Sequence, residues 1–156
     1  MQPVQINAAM IRHLDLAPLS AWSDRPLQEL LEQGAVLEMS FDWPREDTDP
    51  RELSECPEPL LWALRADARF PWLPLLLERD RGSLVRHVAM VVPHSFSRGE
   101  GLRFDPQALE LWITHRLMLL DDLCTTTMGR PMRGNLSQMA AALGYELDAG
   151  FWSLLR

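Results

Sequence analysis

The sequence predicts a single α+β domain: a small, mostly antiparallel sheet of about three to four strands with helices packed on one face. Three observations predict it. Residues 36–43 alternate between apolar and polar, residues 84–92 form an apolar run rich in β-branched side chains, and beyond Asp105 the spacing turns helical, with the longest helix near residues 105–124. A chain of 156 residues with no internal repeat, low-complexity tract or shift in composition reads as one domain, 1–156.

Taken in order, residues 4–8 read as a short edge strand. Asp24, with Pro26 just inside the first turn, opens a helix with Leu27, Leu30 and Leu31 on its apolar face, and Gly34 supplies a left-handed stop. Over residues 36–43, Leu37, Met39, Phe41 and Trp43 fall on one face and Glu38, Ser40 and Asp42 on the other, the pattern of a half-buried strand. Residues 44–59 read as a long loop with one helical turn near residues 51–55. Residues 60–69 admit two readings: Ala and Leu content favours helix, while the bounding prolines and the alternation of Trp62, Leu64, Ala66 and Ala68 favour strand, which is the reading taken. Pro71 begins a short helix through Glu78, with Pro74 still in its first turn. Arg81 and Gly82 turn the chain into a central strand over residues 84–92, stopped by Pro93. Asp105 caps and Pro106 starts a helix of about 20 residues. Asn135 caps another, with Leu136, Met139, Ala140 and Leu143 on one face and Gly144 as its stop, and Asp148 caps a last turn carrying Phe151 and Trp152.

Composition narrows the function classes. A net charge of −7 repels phosphate backbones and anionic lipid, so no nucleic acid partner is expected. All 15 basic residues are Arg, so every cation is a planar fork able to grip a carboxylate or stack on a ring. Cys56 and Cys124 make no CxxC or zinc pattern, which points to a reducing compartment. Cys124 reads as core, and Cys56, between Glu55 and Glu58, as exposed. The first residues lack a basic region followed by an apolar stretch, so no signal peptide is expected and the location reads as cytoplasmic. Residues 109–124 are interrupted by Glu110, His115, Arg116, Asp121 and Asp122, so no direct membrane insertion is expected.

The most informative segment is 41–74, which mixes Trp43, Trp62 and Trp72 with prolines, arginines and carboxylates. Surface loops are seldom this rich in tryptophan, and cores are seldom this rich in acid. The mixture suits a recognition surface of aromatic rings beside Arg–carboxylate pairs. As a core explanation, at least two of the three indoles are expected to be mostly buried, with Trp43 or Trp72 left partly exposed beside Arg. Several stretches also resemble one family. FDWPRE, DPRELSE, LW, DARFPWLPLLLE, AMVVPHSF and DPQALELW, in this order, with a looser C-terminal YELDAGFWSLL, are similar to the sixth chlororespiratory-reduction factor family. The resemblance is strong over residues 41–112, and without a transit segment the cyanobacterial form is the closer match.

That resemblance implies a non-enzymatic assembly factor for the photosynthetic NAD(P)H-dehydrogenase-like complex, acting on its peripheral arm, with the iron–sulfur subunit as client. It brings no catalytic residue and no cofactor. The matching positions are carried over as a protein-binding surface: Asp42, Trp43, Arg45, Asp49, Arg51, Glu52, Trp62, Arg65, Asp67, Trp72 and His94. Cys56 stands where the family pattern has an aliphatic residue.

Other chemistries fare less well. His94, at the end of a predicted strand, offers a general base or metal ligand, or simply a ring that ties down the junction, and the second is preferred. The alternative function is a small hydrolase or transferase pairing His94 with the acidic loop. No histidine pair has HxxH, HxxxH or HExxH spacing, so no metal site is expected. The loop acids Asp42, Glu46, Asp47, Asp49 and Glu52 lack the order of a calcium loop, and Arg45 and Arg51 among them suggest internal pairing. A homodimer buried through Trp152 and the C-terminal leucines is a third possibility.

Overall fold

Helices, rather than a sheet, form the body of the protein. The computed structural model describes residues 2–53, 56–78, 80–97 and 101–154, with residues 94–97 and 101–104 described by backbone alone. The chain runs β1 (Val4–Ile6), α1 (Ala8–Arg12), a 3₁₀ turn (Ala17–Leu19), α2 (Ser20–Ser23), α3 (Leu27–Glu32) and β2 (Met39–Phe41). It continues through α4 (Pro57–Arg69), α5 (Leu73–Leu76), α6 (Ser83–Val91), β3 (His94–Ser97), β4 (Gly101–Phe104), α7 (Pro106–Met128), α8 (Arg133–Ala142) and α9 (Ala149–Ser153).

The mixed class stands, but the expected antiparallel sheet of three to four strands is not what forms. β1 pairs with β2 in parallel, Val4 opposite Met39 and Ile6 opposite Phe41, and an isolated parallel bridge joins Leu37 to Leu77. The helical segment between the two strands carries the chain back to the same end, which is what a parallel pair requires. The antiparallel component is a separate hairpin, β3–β4, in a region expected to be loop.

Two predicted strands are helices, for the same physical reason. In α4 the buried residues Pro59, Leu60, Trp62, Ala63, Ala66 and Asp67 follow helical spacing, whereas Ala68, which the alternation pattern needs inside, is exposed. Pro57 and Pro59 lie in its first turn, where a missing N–H costs nothing. In α6, Leu84, His87, Val88 and Val91 form the buried stripe while Val85 is 53% exposed. Burial against α4 outweighs the modest β preference of valine. Pro93 ends the helix by holding Val92 extended. The short helix after Pro71 is cut back to α5 because Leu77 turns extended to pair with Leu37.

The local end signals mostly hold. Asp105 accepts hydrogen bonds from the N–H groups of Gln107 and Ala108, and Asp148 from that of Phe151. Gly34 adopts the left-handed conformation (φ 64°), letting Ala35 N–H reach Leu30 C=O at 2.9 Å. Two caps differ: Pro26 itself is the N-cap of α3, and α8 begins two residues before Asn135, with Met132 at its cap.

Trp62 is the centre of the core. It is fully buried, its Nε1–H donates to the carbonyl of Asp15 at 2.8 Å, and Phe41 meets it edge-on at 5.5 Å. One residue thereby ties α4 to the segment after α1 and to β2. Trp62→Ala is expected to cost about 3–5 kcal/mol, and Trp62→Phe, which leaves the Asp15 carbonyl without its donor, about 1–3 kcal/mol. Urea unfolding of the three proteins checks the order; equal stability of wild type and Trp62→Phe would assign the indole to volume alone.

Candidate functional site

Beneath the surface, three helices meet at a buried carboxylate. Asp67 of α4 is 1% exposed, and its Oδ2 accepts from Arg116 Nη2 of α7 at 2.7 Å. Its Oδ1 lies 3.3 Å from His87 Nε2 of α6. With the proton on Nε2, where the carboxylate draws it, Nδ1 is left as an acceptor, buried and with no partner. Arg116 also lies 5.8 Å from the Trp112 ring centre. A charge this deep needs its counter-ion, so Asp67 is an internal strut. Its placement on a contact surface is therefore corrected. Nor does the group form a nucleophile relay: Ser83 Oγ accepts from Arg86 Nη2 at 3.1 Å and makes no hydrogen bond with His87 Nδ1.

The recognition residues read from the sequence divide among several places. Trp62 is sealed inside, so its placement on a contact surface is likewise corrected: the indole N–H is spent on Asp15 and leaves no face for a partner. Arg65 is exposed on another side, where it lines a depression of about 420 Å³ with Asp15, Asp24, Arg69 and Phe70. Trp72 is half-buried against Phe70, the ring centres 5.4 Å apart. Asp42 and Glu52 are exposed, Glu52 with interactions of its own. The His94 side chain lies outside the described residues.

What does come together is the loop leaving β2. Trp43, Arg45, Asp49 and Arg51 line a shallow depression of about 540 Å³ with Pro44 and Glu58. Arg51 forks onto Asp49, with Nε at 3.0 Å from Oδ1 and Nη2 at 2.8 Å from Oδ2. These bonds, with the Arg51 backbone N–H, hold the Asp49 carboxyl down at about 2 and push the Arg51 guanidinium above its ordinary range. Arg12, from α1, places its guanidinium 5.3 Å from the Trp43 ring centre. Arg45 is exposed and has no ion-pair partner among the described residues.

Sequence reasoning missed Arg12, His87 and Arg116. Arg12 is distant in sequence from Trp43 and carried no local signal. His87 was legible once residues 84–92 are read as a helix, because that places its ring on the stripe of Leu84 and Val88. Cys56, expected to be exposed, is buried, and burial pushes its thiol up, as it does for Cys124. Trp152 is half-buried against the chain's own residues, its Nε1–H donating to Ser137 Oγ at 3.1 Å and its ring 5.3 Å from the Arg133 guanidinium. Among the described residues no group of three His, Cys, Asp or Glu is placed to hold a metal ion, and no helix is long and apolar enough to cross a membrane.

Two consequences can be measured. Asp67→Ala leaves the Arg116 cation without its partner and is expected to destabilise the fold by about 3–5 kcal/mol in denaturant titrations; a change within experimental error would show that water already reaches the site. At Asp49 the folded-state value lies below the ordinary 3.8, so the fork is complete above that value and is lost as pH falls through about 2. Carboxyl ¹³C NMR should give a midpoint near 2 for Asp49, returning to the ordinary range in Arg51→Ala. A wild-type midpoint near 3.8 would show that the fork does not persist in solution.

With this geometry in hand, comparison with known proteins adds one finding. A family model described as chlororespiratory reduction 6 matches residues 6–154, nearly the whole chain, and the chain belongs to this family. No solved structure matches it. Membership is consistent with a role in NAD(P)H dehydrogenase complex assembly.

Proposed function

We propose that this member of the chlororespiratory reduction 6 family is a non-enzymatic assembly factor that docks a hydrophilic peripheral-arm subunit of the photosynthetic NAD(P)H-dehydrogenase-like complex. The iron–sulfur subunit is the client we favour, met in the cytoplasm. Family membership supports the assembly role. The observation that carries the choice of surface is the grouping of half-buried Trp43, the Arg12 guanidinium beside its ring, the Asp49–Arg51 fork and exposed Arg45, without an ion-pair partner among the described residues, around one shallow depression.

Such a grouping is suited to docking. An indole held in place by its neighbours loses little entropy on binding, and it offers a wide apolar face beside polar atoms. The fork keeps Arg51 and Asp49 fixed, leaving Arg45 as a cation for a client carboxylate. A shallow, solvent-open depression gives a macromolecule room that a small substrate does not need. Arg65 and Trp72 lie away from this patch, so the proposed contact centres on residues 43–51.

Trp43→Ala and Arg45→Ala are each expected to weaken binding of the purified iron–sulfur subunit by about tenfold or more while leaving the far-ultraviolet circular dichroism spectrum at about 25 °C unchanged. Wild-type affinity in both variants would move the contact off this loop. Failure of the wild-type protein to bind the subunit at all would remove it as the client.

A further inference from the structure

We infer that the free edge of β2, with the cavity beside it, is a docking groove for an extended segment of a partner polypeptide, added as a further strand with an apolar side chain in the cavity and a carboxylate at Arg86. For the partner's identity this rests on the assembly reading, which it deepens by naming the chemistry of the segment recognised.

The backbone supplies the first argument. Val4 N–H donates to Glu38 C=O at 2.8 Å and Asp42 N–H to Ile6 C=O at 2.8 Å, so the peptide groups of residues 38, 40 and 42 face β1. By alternation those of Leu37, Met39 and Phe41 face the opposite edge. Leu37 is satisfied there: its N–H donates to Leu76 C=O, and its C=O accepts from Glu78 N–H at 3.2 Å. The bridge stops at that point. The outward peptide groups of Met39 and Phe41 have no hydrogen-bond partner among the described residues. An unpaired strand edge is a template for another strand.

Side chains supply the second. A cavity of about 260 Å³ borders that edge, walled by Phe41, Leu53, Leu77, His87 and Met90. A second, also about 260 Å³, is walled by Leu53, Val85, Arg86, Ala89 and Met90. Leu53, Arg86 and Met90 belong to both, so the two are lobes of one groove. An extended chain presents alternate side chains to the same side, which suits two apolar lobes in succession.

Polar groups within the groove define the occupant further. Arg86 is exposed between the lobes and donates to Arg81 C=O at 2.9 Å and to Ser83 Oγ at 3.1 Å, with no carboxylate partner among the described residues. His87 is 2% exposed, lines the first lobe, and its Nδ1 has no partner. A polar atom buried in this way is costly unless something binds it. The occupant is therefore a peptide that brings a carboxylate to Arg86 and a donor, such as a backbone N–H, to His87. The chain passes from β2 through Asp42 straight into the Trp43 loop, which puts both features within one stretch of sequence.

The test uses fluorescein-labelled peptides of about ten residues tiled along the iron–sulfur subunit, titrated with the full chain beside the intact subunit. Peptides carrying apolar residues next to Asp or Glu are expected to bind. N-methylation at alternate backbone nitrogens should weaken a binding peptide by about tenfold or more, with methylation at the intervening ones tolerated. Arg86→Glu should cause a loss of similar size, as should Met39→Pro, which removes the edge N–H together with a side chain lining the first lobe; should Met39→Pro fail to fold, Arg86→Glu and the methylation scan decide. Binding of the intact subunit with no peptide bound, or a scan without alternation, overturns the groove and leaves the assembly reading in place. Peptides that bind with alternation while the intact subunit does not bind support the groove and overturn the choice of client.

Discussion

Asp67 puts a negative charge where water cannot reach it, and the arrangement of α4, α6 and α7 answers to that constraint. A buried carboxylate is tolerable only with a counter-ion and hydrogen-bond donors in good geometry. α7 provides the first through Arg116 and α6 the second through His87, so both helices must approach α4 at fixed heights along their axes. Apolar contacts alone would allow those helices to slide by a turn at modest cost; the ionic contact does not. It contributes register more than stability.

The same helix that carries Asp67 inward connects the interior to the exposed features. Trp62, on α4, holds Phe41 of β2 and the carbonyl of Asp15. Asp15 follows α1, whose Arg12 reaches the Trp43 ring. Core packing thus decides where the loop leaving β2 can sit, although few of the loop's own side chains are buried. An all-Arg cation set suits this design, because each guanidinium can hold a carboxylate, cover a ring or bridge to a carbonyl in a defined plane. Arg81 shows it at the end of the sheet, bonding both Glu38 and Glu78 where the short bridge between Leu37 and Leu77 ends. The interaction of those two carboxyls, one beside the other, lowers Glu38 and raises Glu78.

The proposed binding features lie at points where regular structure stops short. β2 continues past the Leu37–Leu77 bridge, leaving outward peptide groups unpaired among the described residues. The chain then leaves as a loop that orders itself with one fork and one cation–ring contact. Such partial satisfaction would suit the proposed assembly role: a surface ordered enough to bind with little entropy loss, yet small enough to release a client.

Much of this was legible locally. The caps at Asp105 and Asp148, the left-handed Gly34 and the long helix after Pro106 follow from short-range stereochemistry, which a sequence carries in full. The family was legible because its motifs are strings of residues. Residues 60–69 and 84–92 were misread because an apolar run with scattered small or β-branched residues satisfies either period, and the choice depends on what lies opposite. Here that is another helix. Likewise Trp62 and Trp43 are equivalent as letters, yet one is sealed in the core and the other half open with an Arg from a distant helix beside it. By itself the sequence determined most caps and stops, the charge and the family, because those depend on neighbours along the chain. Only the tertiary structure decided strand pairing, the buried Asp67 junction and which rings reach solvent, because those depend on neighbours across it.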